Sequence, residues 1–301
     1  MGNSIVAFGE LVWDIFPDGN VLGGAPANLV FRLNSFGDHG HLLSRVGNDS
    51  LGKLALKRIA ELGMSSENIQ VDNVFPTGTV NIKIDHEGRP DFIIQKDVAF
   101  DHIEISAEAL KLIKKSDALC FGTLVQRYGI SKNTLRELAN HARGLVKFLD
   151  IKLRKDCYNK GIIENSLGFA DILRVKENEL YILKDELALS GFKSKALATE
   201  LLNEYGLDIV LVTKGKDGAF AIDRDNNYYE DPGYLIKLVD TVGSGVAFSA
   251  GFLHCFLAGE GIGEALRFGN AAGALTSTTH GATTFISKKQ VLNLMANGKR
   301  R

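Results

Sequence analysis

The stretch "DTVGSGVAFSAGFL", Asp240 to Leu253, places two glycines directly before an apolar segment that is typical of a buried helix. Gly243 and Gly245 allow the chain to turn tightly and to bring its backbone N–H groups close to a ligand. The helix that follows would add the positive end of its dipole, so the pattern indicates a site for an oxyanion or a phosphate. Close packing against a neighbouring element would favour the same glycines and Ser244, and this stretch alone does not separate the two explanations.

The composition around this stretch is that of an ordinary globular protein. The chain has 301 residues, of which 45% are hydrophobic and 24% are charged, so it can bury one large core. Its formal net charge is -1 and it has no run of five like charges, so we expect small polar ligands rather than nucleic acid or a membrane surface. Three cysteines, an odd number, indicate reduced thiols and a cytoplasmic location.

Short apolar runs alternate with amphipathic segments along the chain. This alternation predicts an α/β fold in which helices cover a mostly parallel central sheet. We predict one domain over residues 1–301, with a helix over 50–63 and close packing between two late helices rich in small residues, 244–259 and 262–281. The predicted strands are 4–8, 40–46, 117–122, 145–150, 170–175 and 208–213.

One segment departs from this alternation and predicts a second, smaller sheet. The residues "GTVNIKIDHEGRPDFIIQKD", 78–97, alternate apolar and polar side chains on both sides of "DHEGR", as a hairpin with one wet face does. An isolated hairpin is marginally stable, so we expect it to join further strands from "WDIFPDGNVLGG", 13–24. Parts of 11–30 and 76–99 would then form a small β-sheet lid over the main domain.

A second glycine-rich segment, "GGAPAN" at 23–28, leads from a turn-rich region into a helix-forming run. Asn28 offers both a donor and an acceptor, and Asp14 could accept from two hydroxyls at once, which suits a polyhydroxyl ligand. Taken singly, each of these residues is better explained as a helix cap or a turn residue than as a ligand contact. Trp13 is better explained as a core residue than as a platform for a sugar.

The motifs taken together are more specific than each one alone, and their order resembles the ribokinase/PfkB carbohydrate kinases over essentially the whole chain. "GGAPAN" and "GELVWDIFPDG" resemble the bacterial fructokinase branch. The resemblance implies a ribokinase-like, three-layer Rossmann-type core with a small β lid. It also implies transfer of the γ-phosphoryl group of ATP to a primary hydroxyl of a sugar, with Mg²⁺, and dimerisation through the lid. The motifs that carry it are "GELVWD", "GGAPANLVFRLNSFG", "SRVGNDSLG", "PTGTV", "DIKLR", "VTKGKDGAF", "DTVGSGVAF" and "ALRFGNAAGALTSTTHGA".

The resemblance also implies roles for individual residues. Residues matching the sugar-binding positions are Asp14, Gly24 and Asn28. Arg154 matches an arginine near the transferred phosphoryl group, and Glu179 matches a glutamate that supports Mg²⁺. Residues matching the nucleotide site are Thr213, Gly215 and Asn270. Many relatives bind a potassium ion where this chain has Asp240, Thr241 and the backbone of 279–284.

Three residues depart from the pattern of the family. Relatives carry an aspartate after the second glycine of the cradle, which accepts the proton of the attacking hydroxyl, but this chain has Val246. Lys176 and Lys152 each replace an asparagine. Valine cannot accept a proton, and a lysine at position 176 could bind phosphate or could repel or replace Mg²⁺.

These departures leave two functions open. General-base assistance is worth about 10²–10⁴ in rate, whereas phosphoryl transfer depends mostly on positioning and charge stabilisation. The chain is therefore either a fructokinase-type kinase of severely reduced activity or a non-catalytic pseudokinase that binds sugar or nucleotide. A nicotinamide oxidoreductase is poorly supported, because the cradle glycines lie in the second half of the chain and no acidic residue follows them at the dinucleotide spacing.

Overall fold

A computed structural model describes residues 2–16, 19–84 and 90–301. The strands are β1 Ser4–Phe8, β2 Val12–Phe16, β3 Gly19–Gly23, β4 His39–Gly47, β5 Ile69–Asp72, β6 Gly78–Ile84, β7 Pro90–Ile94, β8 Ala118–Phe121, β9 Val146–Asp150, β10 Ile172–Lys176, β11 Ile209–Thr213, β12 Ala219–Asp223 and β13 Tyr228–Asp231. The α-helices are α1 Ala25–Phe36, α2 Ser50–Glu61, α3 Ala107–Ile113, α4 Gly129–His141, α5 Lys160–Gly168, α6 Glu177–Leu187, α7 Ser194–Tyr205, α8 Ser244–Leu257, α9 Ile262–Thr276 and α10 Lys288–Asn297.

The larger sheet has nine strands in the order β13-β12-β11-β10-β9-β8-β1-β4-β5. The strands from β11 to β5 in this order are parallel, whereas β12 and β13 add an antiparallel edge. The predicted α/β fold with a mostly parallel sheet is therefore confirmed. Because the carboxyl ends of parallel strands meet at one edge of the sheet, the loops that follow them can share a site there.

Helices cover both faces of this sheet and complete three layers. In β1, the side chains of Ile5 and Ala7 face one apolar cluster and those of Val6 and Phe8 face the other, because successive strand residues point to opposite sides. The first cluster includes residues of α1, α2, α8, α9 and α10, and the second includes residues of α3 to α7.

The smaller sheet has four strands in the order β3-β2-β6-β7. Strands β2 and β6 pair in parallel, and the outer strands are antiparallel to them. Both arms of the predicted hairpin are present, while its turn at 85–89 lies outside the described residues. A small apolar cluster that includes Val12, Val80, Phe100 and Leu124 packs this sheet onto the main domain.

The two late helices pack as closely as their small residues predicted. A Cβ atom added to Gly251 of α8 would lie 3.1 Å from the Cβ of Ala272 and 3.1 Å from the Cα of Gly269, both in α9. Helix α2 ends two residues before the predicted boundary, and Gly63 follows it with φ of 69°. Strands β5, β12 and β13 were not predicted. No helix in the described part of the chain is both long and apolar enough to cross a membrane.

Candidate active site

The anion cradle is the amino-terminal end of α8. Gly243 precedes the helix with φ of 80°, a left-handed conformation that glycine adopts without strain. The first-turn N–H groups of a helix have no intrahelical acceptor, so they and the helix dipole favour an anion at this end. Ser244 donates from its hydroxyl to the Thr241 carbonyl oxygen at 2.8 Å, which fixes the turn.

The same glycines also serve close packing. A Cβ at Gly243 would lie 2.5 Å from the Cβ of Ala282, and a Cβ at Gly245 would lie 2.7 Å from Nη2 of Arg174. The packing explanation of the glycine pattern is therefore confirmed, while anion binding at these glycines stays a prediction. The cradle is held between the loop around Ala282 on one side and a buried guanidinium on the other.

Asp240 ties the cradle to the loop that follows α9. Its Oδ1 accepts the Val242 N–H at 2.9 Å, and its Oδ2 accepts the Gly281 N–H at 2.9 Å. Burial raises the pKa of Asp240, but the backbone hydrogen bonds outweigh burial and lower it. Its role here is to join two loops.

Val246 lies in the first turn of α8, where the resemblance implies the proton acceptor. Its side chain is 7% exposed and belongs to the apolar cluster formed by α1, α8 and α9. The first turn of α8 contains no acidic residue. The cradle therefore has the geometry to hold an anion, and position 246 has no group that can accept a proton.

A buried ionic network lies beneath the cradle and was not predicted. Arg174, 1% exposed, donates from Nη1 to Asp150 Oδ1 at 3.1 Å and from Nη2 to the Thr213 hydroxyl at 2.8 Å. Lys152 Nζ lies 3.3 Å from Asp150 Oδ2, and the Ser249 hydroxyl donates to the same oxygen at 3.3 Å. Asp150, Arg174 and Thr213 stand near the ends of three adjacent parallel strands, β9 to β11. This arrangement joins the sheet edge to α8.

The charges in this network shift the pKa values of its members. Burial raises the pKa of Asp150, but the charges of Lys152 and Arg174 outweigh burial and lower it. Burial lowers the pKa of Lys152, and Arg174 adds to that shift while Asp150 opposes it. Lys152 also has φ of 42°, a left-handed conformation that asparagine tolerates better than lysine.

The residues predicted to hold the sugar lie around the loop after β1. Asp14 is half-buried on β2, and a Cβ at Gly23 would lie 2.7 Å from its Oδ2, so this glycine leaves room for the carboxylate. Gly24 has φ of 113°, and a Cβ there would lie 2.3 Å from the Glu10 carbonyl oxygen. Asn28 lies in the first turn of α1 and is half-buried.

Electrostatics link this sugar side to the residues after β9. Burial raises the pKa of Asp14, the Arg154 charge lowers it and Glu10 raises it further. Glu10 and Arg154 also act on the pKa of Lys152. The predicted residues Asp14 and Arg154 therefore lie within electrostatic reach of each other, at the sheet edge that carries the ionic network.

Glu10 is a site residue that the sequence interpretation missed. Its Oε1 accepts the Ala25 N–H at 3.0 Å and so fixes the start of α1 against the loop after β1. The signal was the acidic residue after the first strand in "FGE", fifteen residues before the helix it caps. Trp13 is 4% exposed, as expected of a core residue, and donates to the Leu51 carbonyl oxygen.

The residues predicted to border the nucleotide have different surroundings. Thr213 is buried and accepts the hydrogen bond from Arg174, whereas Gly215 is exposed in the turn after β11. Asn270 donates from its side-chain amide to Asp231 Oδ1 at 2.6 Å, which joins α9 to the end of β13. The roles in nucleotide binding that the resemblance implies for Thr213, Gly215 and Asn270 stay predictions.

The residues near the expected magnesium position are a poor fit to a divalent ion. Glu179 is 7% exposed and accepts the Lys176 N–H at 3.0 Å, as part of the cap of α6. Asp150 is shared between Arg174, Lys152 and Ser249. Within the described ranges, no group of three or more His, Cys, Asp or Glu residues could hold a metal ion.

The side chains near the expected potassium position make hydrogen bonds to the backbone. The Asp240 carboxylate is occupied by backbone N–H groups, and the hydroxyls of Thr279 and Thr284 donate to carbonyl oxygens of their own loop. Arg32, 1% exposed, donates to the Ala282 carbonyl oxygen at 3.2 Å, and burial lowers its pKa to about 10. A guanidinium already contacts this loop, and the potassium site expected at Asp240, Thr241 and the backbone of 279–284 stays a prediction.

Comparison with known proteins gives one family over nearly the whole chain. The family model described as "pfkB family carbohydrate kinase" matches residues 5–289. A fructokinase of Klebsiella pneumoniae is 27% identical and is aligned over 97% of this chain and 99% of its own. The structure of a Xylella fastidiosa fructokinase with bound ATP has a TM-score of 0.84 at 20% identity, covering 98% of this chain and 99% of that one.

A second structure, a Vibrio cholerae fructokinase with bound fructose, ADP and calcium ion, has a TM-score of 0.82 at 22% identity. It covers 97% of this chain and 99% of the Vibrio chain. At these identities, the structural matches confirm the ribokinase-like fold.

Proposed function

Because this chain belongs to the pfkB family of carbohydrate kinases, we propose that it binds ATP and a fructose-like sugar and transfers the γ-phosphoryl group to the sugar 6-hydroxyl at a severely reduced rate. The proposal depends most on one observation. Gly243 has the left-handed conformation that a cradle at the start of α8 requires, and buried Val246 stands where the resemblance implies the proton acceptor.

The sugar would lie between the lid sheet and the carboxyl edge of the large sheet. Asp14 would accept hydrogen bonds from adjacent sugar hydroxyls, and Asn28 would donate and accept. Gly23 and Gly24 support this arrangement, because a side chain at either position would collide with Asp14 or with the Glu10 backbone. The preference for fructose is carried over from relatives named fructokinase, such as that of Klebsiella pneumoniae.

The phosphoryl group would lie against the first turn of α8. Its N–H groups would bind the equatorial oxygens, and Arg154 would stabilise charge as it develops. ATP would supply the transferred group, and the family resemblance implies that Mg²⁺ binds together with ATP. The proton of the attacking hydroxyl would have to leave to solvent, because valine cannot accept it, and this loss costs about 10²–10⁴ in rate.

A pseudokinase that binds sugar or nucleotide for a regulatory or structural role is the second candidate. Its support is that Val246 packs into the apolar cluster beside α1 and α9, while Lys152 belongs to a buried ionic network. Such a protein would show thermal stabilisation by ATP or sugar without turnover.

A paired assay separates the two candidates and identifies the sugar. ADP release and ligand-induced shifts of Tm would be measured for the unaltered chain and for Val246→Asp with fructose, ribose, 2-keto-3-deoxygluconate and nucleosides. A reduced kinase predicts slow release with fructose that Val246→Asp accelerates. Binding without release in both proteins supports the pseudokinase, and a chain that responds to neither ATP nor any sugar refutes both.

Dimerisation through the lid is part of the same proposal. Phe16, Val21 and Ile93 are 37%, 52% and 42% exposed on strands of the smaller sheet, where a second copy would cover them. Sedimentation equilibrium of the unaltered chain and of Val21→Lys tests this point.

A further inference from the structure

Basic side chains concentrate at the ends of β9 and β10, and one of them, Arg174, packs against the anion cradle. Lys152 follows β9, Arg174 lies in β10, and Lys176 is the last residue of β10. Nη2 of Arg174 lies 2.7 Å from the position of a Cβ at Gly245, so the guanidinium packs against the cradle itself. The Nε of Arg174 is buried and has no hydrogen-bond partner among the described residues.

The carboxylates at this edge are already engaged by other groups. Asp150 binds Arg174 through Oδ1 and Lys152 through Oδ2, at 3.1 and 3.3 Å. Glu179 accepts the backbone N–H of Lys176. Mg²⁺ demands oxygen ligands in near-ideal octahedral geometry and loses its waters reluctantly, so carboxylates held in this way are poor ligands for it.

The positive charge at the ends of β9 and β10 is a second argument against a bound Mg²⁺. Val246, Lys152 and Lys176 together make this edge more positive by three units than the aspartate and two asparagines that the resemblance implies. One Mg²⁺ bound at this edge would add two further positive charges to those of Lys152 and Arg174. Like charges in a partly buried site repel strongly, because water screens them little.

We propose that this chain binds the phosphates of its nucleotide without a divalent ion, with Lys152, Arg174 and Lys176 supplying the positive charge. The inference rests on the proposed nucleotide binding and concerns how the phosphates are neutralised. Lys176 is exposed at the end of β10, whereas Arg174 is buried beneath the cradle. Lysine ammonium groups bind phosphate as point charges and require no fixed coordination geometry.

Titration calorimetry with ATP and with ADP tests the proposal on the full chain, once with EDTA and once with saturating Mg²⁺. We expect the Kd in EDTA to be equal to or lower than the Kd in Mg²⁺. The variant Lys152→Asn/Lys176→Asn should bind about tenfold or more weakly in EDTA, because charged hydrogen bonds to phosphate are lost. Mg²⁺ should then strengthen its binding.

A matched control keeps the charge change but moves it away from the cradle. Lys111→Asn/Lys289→Asn alters two exposed lysines on α3 and α10 and should bind nucleotide as the unaltered chain does. If the buried Lys152 variant does not fold, Lys176→Asn alone and the EDTA comparison on the unaltered chain still decide the matter.

Three results would overturn the proposal. The first is a tenfold or larger gain in affinity of the unaltered chain on addition of Mg²⁺. The second is equal affinity of the cradle variant and its control in EDTA. The third is no nucleotide binding in either buffer, which also removes the proposed function, whereas binding that requires Mg²⁺ removes only this inference.

Discussion

Replacing Arg174 by methionine tests whether the buried ionic network holds the cradle in place. Methionine keeps much of the length of the apolar stem and removes the guanidinium. The change deletes the hydrogen bonds to Asp150 and to the Thr213 hydroxyl, at 3.1 and 2.8 Å, and leaves both groups behind. It also removes the contact beneath Gly245.

The expected loss follows from the burial of the pair. Removing one partner of a buried ion pair costs about 3–5 kcal/mol, since the other charge remains without compensation. Lys152 stays 3.3 Å from Asp150, so we expect the lower end, about 3 kcal/mol of unfolding free energy. Asp150→Asn would leave Lys152 and Arg174 uncompensated, and the double variant should cost less than the sum of the single ones.

Urea unfolding, monitored by circular dichroism near neutral pH, measures these values. The control is Arg224→Met, because Arg224 is 65% exposed and its ion pair with Asp208 should contribute under about 1 kcal/mol. The reasoning is refuted if Arg174→Met costs no more than this control. It is also refuted if the effects of the Arg174 and Asp150 changes add within about 0.5 kcal/mol.

The same variant should lose its effect in acid. The folded state has a lowered pKa for Asp150, so its contribution is present above the ordinary carboxylate range and is lost as pH falls through the folded pKa. The difference between the unaltered chain and Arg174→Met should therefore shrink below the ordinary pKa of aspartate. A difference that grows on acidification would contradict the assignment.

Three further predictions concern the cradle and the sugar side. In urea unfolding, Gly243→Ala should destabilise the fold by more than Gly206→Ala. An alanine at either position has a positive φ, at a cost of about 1–2 kcal/mol, but only the alanine at position 243 would also collide with Ala282. Equal losses of unfolding free energy would contradict the close packing at Gly243. Burial raises the pKa of Asp14, so on acidification its carboxylate should take up a proton at a pH above the ordinary aspartate range. Fructose affinity measured by calorimetry should begin to fall at that pH, and Asp14→Asn should remove this dependence. A pH profile unchanged in the variant would exclude Asp14 as the sugar-binding carboxylate. Val246→Asp should lower the free energy of unfolding in urea by about 1–2 kcal/mol, because the lost apolar burial exceeds the gain from the helix dipole. A loss above about 4 kcal/mol would show that the site cannot accept a carboxylate.

Local chemistry made much of the fold predictable. The central parallel strands appear as short apolar runs, and the left-handed glycine at position 243 follows from the turn that a helix-opening cradle requires. The hairpin of β6 and β7 was predicted by its alternation. Strand β5 has only four residues, and β12 and β13 form an antiparallel edge that the pattern of a parallel sheet does not suggest.

The ionic network could not be predicted in the same way. Arg174 looks like an isolated charge in the strand sequence "ADILRV", and its partner Asp150 lies 24 residues earlier in the chain. Arg174 and Asp150 come together because β9 and β10 pair, and no residue spacing within one segment indicates that pairing. The Arg32 contact with Ala282 spans 250 residues and was missed for the same reason.

The central claim is that a sugar kinase fold has kept its anion cradle and lost its proton acceptor at position 246. The most direct test is the rate of fructose-dependent ADP release by Val246→Asp divided by that of Val246→Asn, which has a similar shape but cannot act as a base. We expect a ratio of about 10² or more, with Val246→Asn as slow as the unaltered chain. Equal rates for the two variants would contradict the claim.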